Sequence, residues 1–192
     1  MADFSKIGKS NVATAKSHER HVAKLLTEWT DNKFRRRRVE GRGNDTIVVN
    51  STGDIISATD KKCCFNVECK KGKGFSLNAT LASPQTALFC KWWHQTTYDA
   101  KLASDVIKTT IYPMLFFKPK PQHDWVAIQD GLFDIKFPHI VFRFDTKNIV
   151  ESNISHSPTH KVMVKLALSD CVICRWKDFR DNIDPQLFFI KG

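Results

Sequence analysis

Apolar positions in residues 11–30 recur at helical spacing. Val22, Leu25, Leu26 and Trp29 stand at offsets of three, four and seven, which predicts an amphipathic helix over that stretch. Extending the stripe backwards places His18 and Glu19 on its core side and leaves Glu28 off it. Residues 1–10, short, polar and basic, read as a loose terminus. Residues 31–45 form a polar connector, and Thr46–Asn50 reads as a short β-branched strand. Two apolar runs then flank the polar tetrad Thr59-Asp60-Lys61-Lys62 within Gly53–Lys70, the pattern of a β-hairpin. Ser83-Pro84 predicts a helix start, continuing to His94 with Leu88, Phe89 and Trp92 as core positions and Trp93 and His94 open either way. Strand patterns follow at Ile111–Lys118, Asp124–Gln129, Phe137–Phe144 and Lys161–Leu168, with Pro113 suggesting an edge or a bulge. The tail from Asp178 to Ile190 fits neither period. Helix, strands, helix and more strands make an α/β chain with a central mixed sheet and a β-rich C-terminal portion.

The hairpin carries the chemistry. Side chains alternate across a strand, so Phe65, Val67 and Cys69 share one face and Asn66, Glu68 and Lys70 the other. With the hairpin centred near Lys61, Asp54 falls opposite or nearly opposite Glu68. Two adjacent carboxylates repel unless a proton or cation lies between them, and a hard cation such as Mg²⁺ takes oxygen ligands while keeping several waters. Asp54 followed by Glu68-x-Lys70 is thus a compact device for metal-assisted hydrolysis of a phosphodiester. The same residues also suit a plain surface hairpin with a cross-strand Glu–Lys pair. Glu19, on the buried edge of its helix, needs a partner, a hydrogen bond or a metal, unless it serves only the helix N-terminus.

Charge favours the first reading. The 192 residues hold 30 Lys and Arg against 20 Asp and Glu, a formal net charge of +10, which points to a polyanion such as nucleic acid. The basic run Arg35, Arg36, Arg37, Arg38 with Arg42 precedes the hairpin, and Lys71 and Lys73 follow it. Arginines can hold phosphates in bidentate fashion, although such runs are also ordinary solvated loops and turns. No apolar run is long enough to span a membrane, and no secretory signal opens the chain. Six cysteines then suggest free thiols in a reducing interior.

Other constellations carry less. Gly8-Lys9-Ser10 lacks the earlier glycine of a phosphate-binding loop. Cys171 and Cys174 have half the spacing of a zinc site, but apolar residues lie between them and a second pair is missing, so they read as buried strand-end thiols.

Glu19 in Ser17-His18-Glu19-Arg20, Gly53-Asp54, Glu68-Cys69-Lys70 and Gln85 follow in the order of a known family. Over residues 10–118 the chain resembles the PD-(D/E)xK nuclease superfamily, and within it the archaeal-type Holliday junction resolvases, which viruses and phages also carry. The resemblance implies a restriction-endonuclease-like core in residues 1–130 and a C-terminal extension, residues 131–192, packed on it. It implies a Mg²⁺ cofactor, replaceable by Mn²⁺, held by Asp54, Glu68 and the Cys69 carbonyl. Lys70 would position the attacking water, Glu19 would assist from a second metal or an outer water, and Gln85 would orient Lys70 or a metal-bound water. The implied partner is branched DNA, cut by a homodimer to a 5′-phosphate and a 3′-hydroxyl, in the cytoplasm or nucleoid of a cell, including an infected host. Gly53 departs from the Pro common in resolvases at that position.

Overall fold

The computed structural model describes residues 4–37, 53–72, 76–83, 87–119, 123–144, 149–157, 160–167 and 169–190. Arg38, Arg42, Lys73, Gln85 and the expected strand Thr46–Asn50 lie outside them.

The first helix, α1 (Phe4–Thr30), begins earlier than its apolar stripe, so the described part of the expected loose terminus is helical. Val22 and Leu26 are fully buried and Leu25 and Trp29 pack against them. The connector is not all loop. Phe34–Arg36 forms strand β1, because Phe34 buries its ring against Phe188 while the arginines stay half-exposed. β2 (Ile55–Ser57) and β3 (Phe65–Gly72) are the expected hairpin. A short helix, α2 (Leu77–Ala82), capped by the Ser76 side chain, then precedes α3 (Leu88–Ile107). As described, α3 is capped at Ala87 rather than at Ser83, which instead ends α2.

β4 (Tyr112–Pro119), β5 (Trp125–Gln129), β6 (Ile140–Phe142) and β9 (Cys171–Arg175) complete a seven-stranded mixed sheet of order β1-β2-β3-β4-β5-β9-β6. β7 (Ile149–Ser157) and β8 (His160–Ala167) pair separately as a two-stranded sheet. α4 (Trp176–Asn182) and a 3₁₀ turn, Pro185–Phe188, occupy the tail.

β3 and β4 are parallel and every other pair in the large sheet is antiparallel. A parallel pair needs a crossover, and α2 and α3 supply it. Pro113 is in a central strand, not at an edge. Its missing N–H does no harm there, because the β4–β5 ladder starts one residue later, at Met114.

Two cores sandwich the sheet. On one face α1 and α4 cover Val67, Met114, Phe116, Val126, Val172 and Cys174. On the other, Phe89, Cys90 and Trp93 of α3 cover Leu115, Phe117, Ala127 and Ile173. Leu88, expected in the core, is exposed. All six cysteines are free thiols, and Cys90, Cys171 and Cys174 are buried. β4 and β5, apolar on both faces, support β3, which turns an apolar face to α1 and carries the candidate site on its polar face.

Candidate active site

Ile55 pairs with Val67, and Asp54 stands just outside that pairing, near enough to Glu68 for its charge to act on it. The approach is close. A Cβ at Gly53 would lie 2.7 Å from the Val67 carbonyl oxygen and 2.9 Å from its nitrogen, which accounts for glycine where resolvases carry proline. The Asp54 N–H donates to the Val67 carbonyl at 2.8 Å, and the Arg37 N–H donates to the Asp54 carbonyl at 2.7 Å. The Asp54 side chain is oriented from β3, its Oδ2 accepting from the Cys69 N–H at 2.9 Å.

Glu68, only 5% exposed, turns toward α3. Its Oε1 accepts from Lys70 Nζ at 2.7 Å and from Gln95 Nε2 at 3.3 Å. The Gln95 carbonyl in turn accepts from Lys70 Nζ at 3.0 Å, so one amide of α3 locks both partners. Asp99, one turn further along α3, is buried and adds negative charge to the pair. From the α1 side comes Glu19, whose Oε2 lies 3.4 Å from Arg36 Nη1.

Too much negative charge is gathered here for the cations present. Burial, then the Asp54 charge, pushes Glu68 up to about 7 in spite of Lys70. Burial also raises Asp54, against the Cys69 N–H and the neighbouring cations. Burial followed by the Asp54 charge raises Glu19 in spite of Arg36. For Lys70 burial works downward, but Glu68, Asp54 and Asp99 together outweigh it and hold the ammonium above its usual range.

A hard dication would offset this imbalance, and the donor set suits one. Among the described residues no group of three or more His, Cys, Asp and Glu side chains is arranged to hold a metal ion. Asp54 and Glu68 are instead a two-carboxylate pair, which suits a cation that keeps several waters. Both hydrogen bonds to Glu68 end on Oε1, which leaves Oε2 for a cation.

The structure therefore brings together Glu19, Asp54, Glu68, Cys69 and Lys70. Of the expected DNA-binding residues, Arg36 turns to Glu19, Arg35 pairs with Ile56 in the β1–β2 ladder, and Lys71 is half-buried on β3. Gln95 makes the contact to Lys70 expected of Gln85, which lies outside the described residues, and Asp99 was not foreseen. Their signal was readable as two polar residues four apart on a helix otherwise buried along that side. Also unforeseen is a network beside the site. His21 Nε2 lies 3.0 Å and Lys118 Nζ 3.3 Å from Asp124 Oδ2, and His18 Nδ1 is 3.9 Å from Oδ1. Burial lowers His18 to about 4. Burial alone would raise Asp124, but the bonds to His21 and Lys118 hold it below the usual range.

A carboxylate pair and a lysine at the end of a central hairpin, with an acid from the first helix, is the geometry the PD-(D/E)xK motif encodes. The family model described as "Phage putative PDDEXK endonuclease" matches residues 15–189. The chain belongs to this family. The match takes in β9 and α4 as well as the hairpin, so it reaches well beyond the motif residues. No curated protein and no solved structure matches the chain. No helix among the described residues is long and apolar enough to cross a membrane.

Proposed function

We propose that this phage-type PD-(D/E)xK protein is a Mg²⁺-dependent endodeoxyribonuclease that nicks branched DNA as a homodimer, in the manner of a junction resolvase acting inside an infected host cell. The observation that supports a nuclease most is the neighbouring pair Asp54 and Glu68, both held above their usual range, with Lys70 2.7 Å from Glu68. Mg²⁺, or Mn²⁺ in its place, held by Asp54, Glu68 and the Cys69 carbonyl, would supply Lewis-acid stabilisation of charge on the phosphate.

Each protein group then has a task. Lys70 stays protonated beside Glu68, so it acts as a donor that orients the attacking water and stabilises negative charge on the phosphate, rather than as a base. Gln95 holds Lys70 and Glu68 in fixed relation, which favours a reaction that depends on positioning. Glu19, only partly neutralised by Arg36, orients water from the α1 side. Water attacks phosphorus and the bond to the 3′-oxygen breaks, leaving a 5′-phosphate and a 3′-hydroxyl.

Preference for branched DNA is supported by the order of Glu19, Gly53-Asp54 and Glu68-x-Lys70, which resembles the resolvases. The test is cleavage of a labelled four-way junction, a matched duplex and single strands with Mg²⁺, alongside Lys70→Ala. Paired nicks confined to the junction and lost in the variant are expected. Equal cutting of all substrates would leave a duplex or repair nuclease. Binding with no cutting at all would leave a DNA-binding protein that kept the fold.

A further inference from the structure

We propose that Lys71 and Lys118 form a seat for a second DNA phosphate, next to the cleaved one, and that Asp124 and His21 are the positioning residues that hold Lys118. The substrate class rests on the nuclease reading above.

Lys71 and Lys118 are register partners in the parallel β3–β4 ladder, so their backbones lie about 4.8 Å apart. Alternation gives them a common face. Met114 and Phe116 of β4 and Val67 of β3 belong to the α1-side core, so Lys118 and Lys71 point to that side as well. Asp124, just before β5, lies on the same side, since Val126 and Ile128 also join that core. Two ammonium groups thus stand side by side with one carboxylate between α1 and the strand ends. That carboxylate is committed to Lys118 and His21 through a single oxygen, Oδ2. Lys71 has no ion pair among the described residues, which leaves an excess positive charge at the site's edge.

Position explains what that charge is for. Lys70 and Lys71 are consecutive and point to opposite faces of β3. Lys70 serves Glu68 on the α3 side, and Lys71 emerges on the α1 side. A sugar–phosphate backbone crossing the strand ends meets Lys70 at the scissile phosphate and the Lys71–Lys118 pair at its neighbour. A plain solvated ion pair would need neither the second lysine nor His21. The network also leaves Lys118 about one-third exposed, so it can reach a ligand without leaving Asp124.

The experiment measures DNA binding by fluorescence anisotropy across a salt series, using the full chain in EDTA. Lys71→Ala and Lys118→Ala should each lower the slope of log affinity against log salt by about 0.9, the value for one lost phosphate contact on duplex DNA. Lys118→Arg should restore it. Unchanged slopes would overturn the seat. A neutral methylphosphonate next to the cleaved position should weaken wild-type binding and leave the Lys71→Ala/Lys118→Ala variant unaffected; equal loss in both would place the seat elsewhere and overturn the proposal. For Asp124→Asn, a pure charge effect would lower KM, because the protein becomes more positive. Loss of positioning raises KM with kcat unchanged, and a lowered or unaltered KM would remove Asp124 from the role. Cleavage by the wild type is followed alongside. Slopes that fall in a protein that cuts nothing would refute the nuclease and keep the seat, and active enzyme with unchanged slopes would do the reverse.

Discussion

Replacing Asp54 by Asn separates what the site costs from what it does. The amide keeps an oxygen to accept from the Cys69 N–H, a bond of 2.9 Å in the wild type, and removes one charge. Two unit charges about 5.5 Å apart repel by about 3 kcal/mol at an effective dielectric of about 20. Lys70 offsets part of this through its 2.7 Å bond to Glu68. Glu68 rises from 4.5 to about 7, worth about 3 kcal/mol at about 1.4 kcal/mol per tenfold change in proton affinity. Burial is the larger cause, so Asp54 accounts for about 1 kcal/mol of net destabilisation in the metal-free protein once Glu68 is ionised.

The expected outcome is therefore a more stable but inactive protein. In EDTA at about pH 8, Asp54→Asn should melt about 2–4 °C above the wild type, the shift that about 1 kcal/mol produces in a domain of this size. Added Mg²⁺ should raise the wild-type melting temperature through binding to the folded state and raise that of the variant less. Thermal unfolding followed by tryptophan fluorescence reads both. A variant that melts below the wild type in EDTA would refute carboxylate repulsion as the source of the perturbation. Equal stabilisation by Mg²⁺ in both proteins would take the cation away from Asp54.

Gln95→Ala removes the amide that bonds both Lys70 and Glu68; leaving such groups unsatisfied costs about 1–3 kcal/mol, so single-turnover cleavage should slow about ten- to hundredfold while DNA binding is retained. Gly53→Ala places a methyl 2.7 Å from the Val67 carbonyl oxygen, and the hairpin must shift, so melting temperature and cleavage should both fall; wild-type values for both would show that β2 can give way. The pH dependence has a definite sign. An acid whose folded pKa is raised stabilises below its unfolded value and loses that contribution as pH rises through the folded one. Metal-free stability in urea should thus fall by up to about 3 kcal/mol between pH of about 4.5 and 7 on account of Glu68, with Glu19 and Asp54 acting in the same direction. Saturating Mg²⁺ should flatten the profile.

Local patterns in the sequence were readable where one period dominated. The stripe Val22-Leu25-Leu26-Trp29 marks α1, and the apolar runs around Lys61 mark the hairpin, whose strands pair at Ile55 and Val67. What stayed hidden depended on distant partners. Phe34–Arg36 has too few apolar residues to announce a strand, and it becomes one because Phe34 meets Phe188 from the far end of the chain. β9 reads as a short apolar run, and its place between β5 and β6 follows from pairing with β5 across more than forty residues and with β6 across about thirty. Pro113 misled because its cost depends on where the neighbouring ladder begins. Gln95 was missed because a helical glutamine carries no signal until the strand it faces is known.

The position of the site follows from this division between local and distant determinants. Asp54 and Glu68 are set against each other by one short hairpin, and neither could stay so on a soft support. Glu68 is 5% exposed and raised to about 7, a conflict the surrounding fold must outweigh. Phe65 and Val67 on its own strand, Met114 and Phe116 on the next, and Val126 and Ile128 beyond are buried without exception, and α1 and α3 close the two faces. The strand that holds Glu68 thus leans on neighbours whose apolar side chains are fully buried, and the unfavourable charge sits at the margin of that packed sheet. A site that stores repulsion at the rim of a rigid sheet gives a cation and a polyanion together more free energy than either alone. That arrangement predicts mutual dependence. Mg²⁺ should tighten binding of DNA in Lys70→Ala, which keeps both carboxylates, and should not do so in Asp54→Asn, where the repulsion that the cation relieves has already been removed.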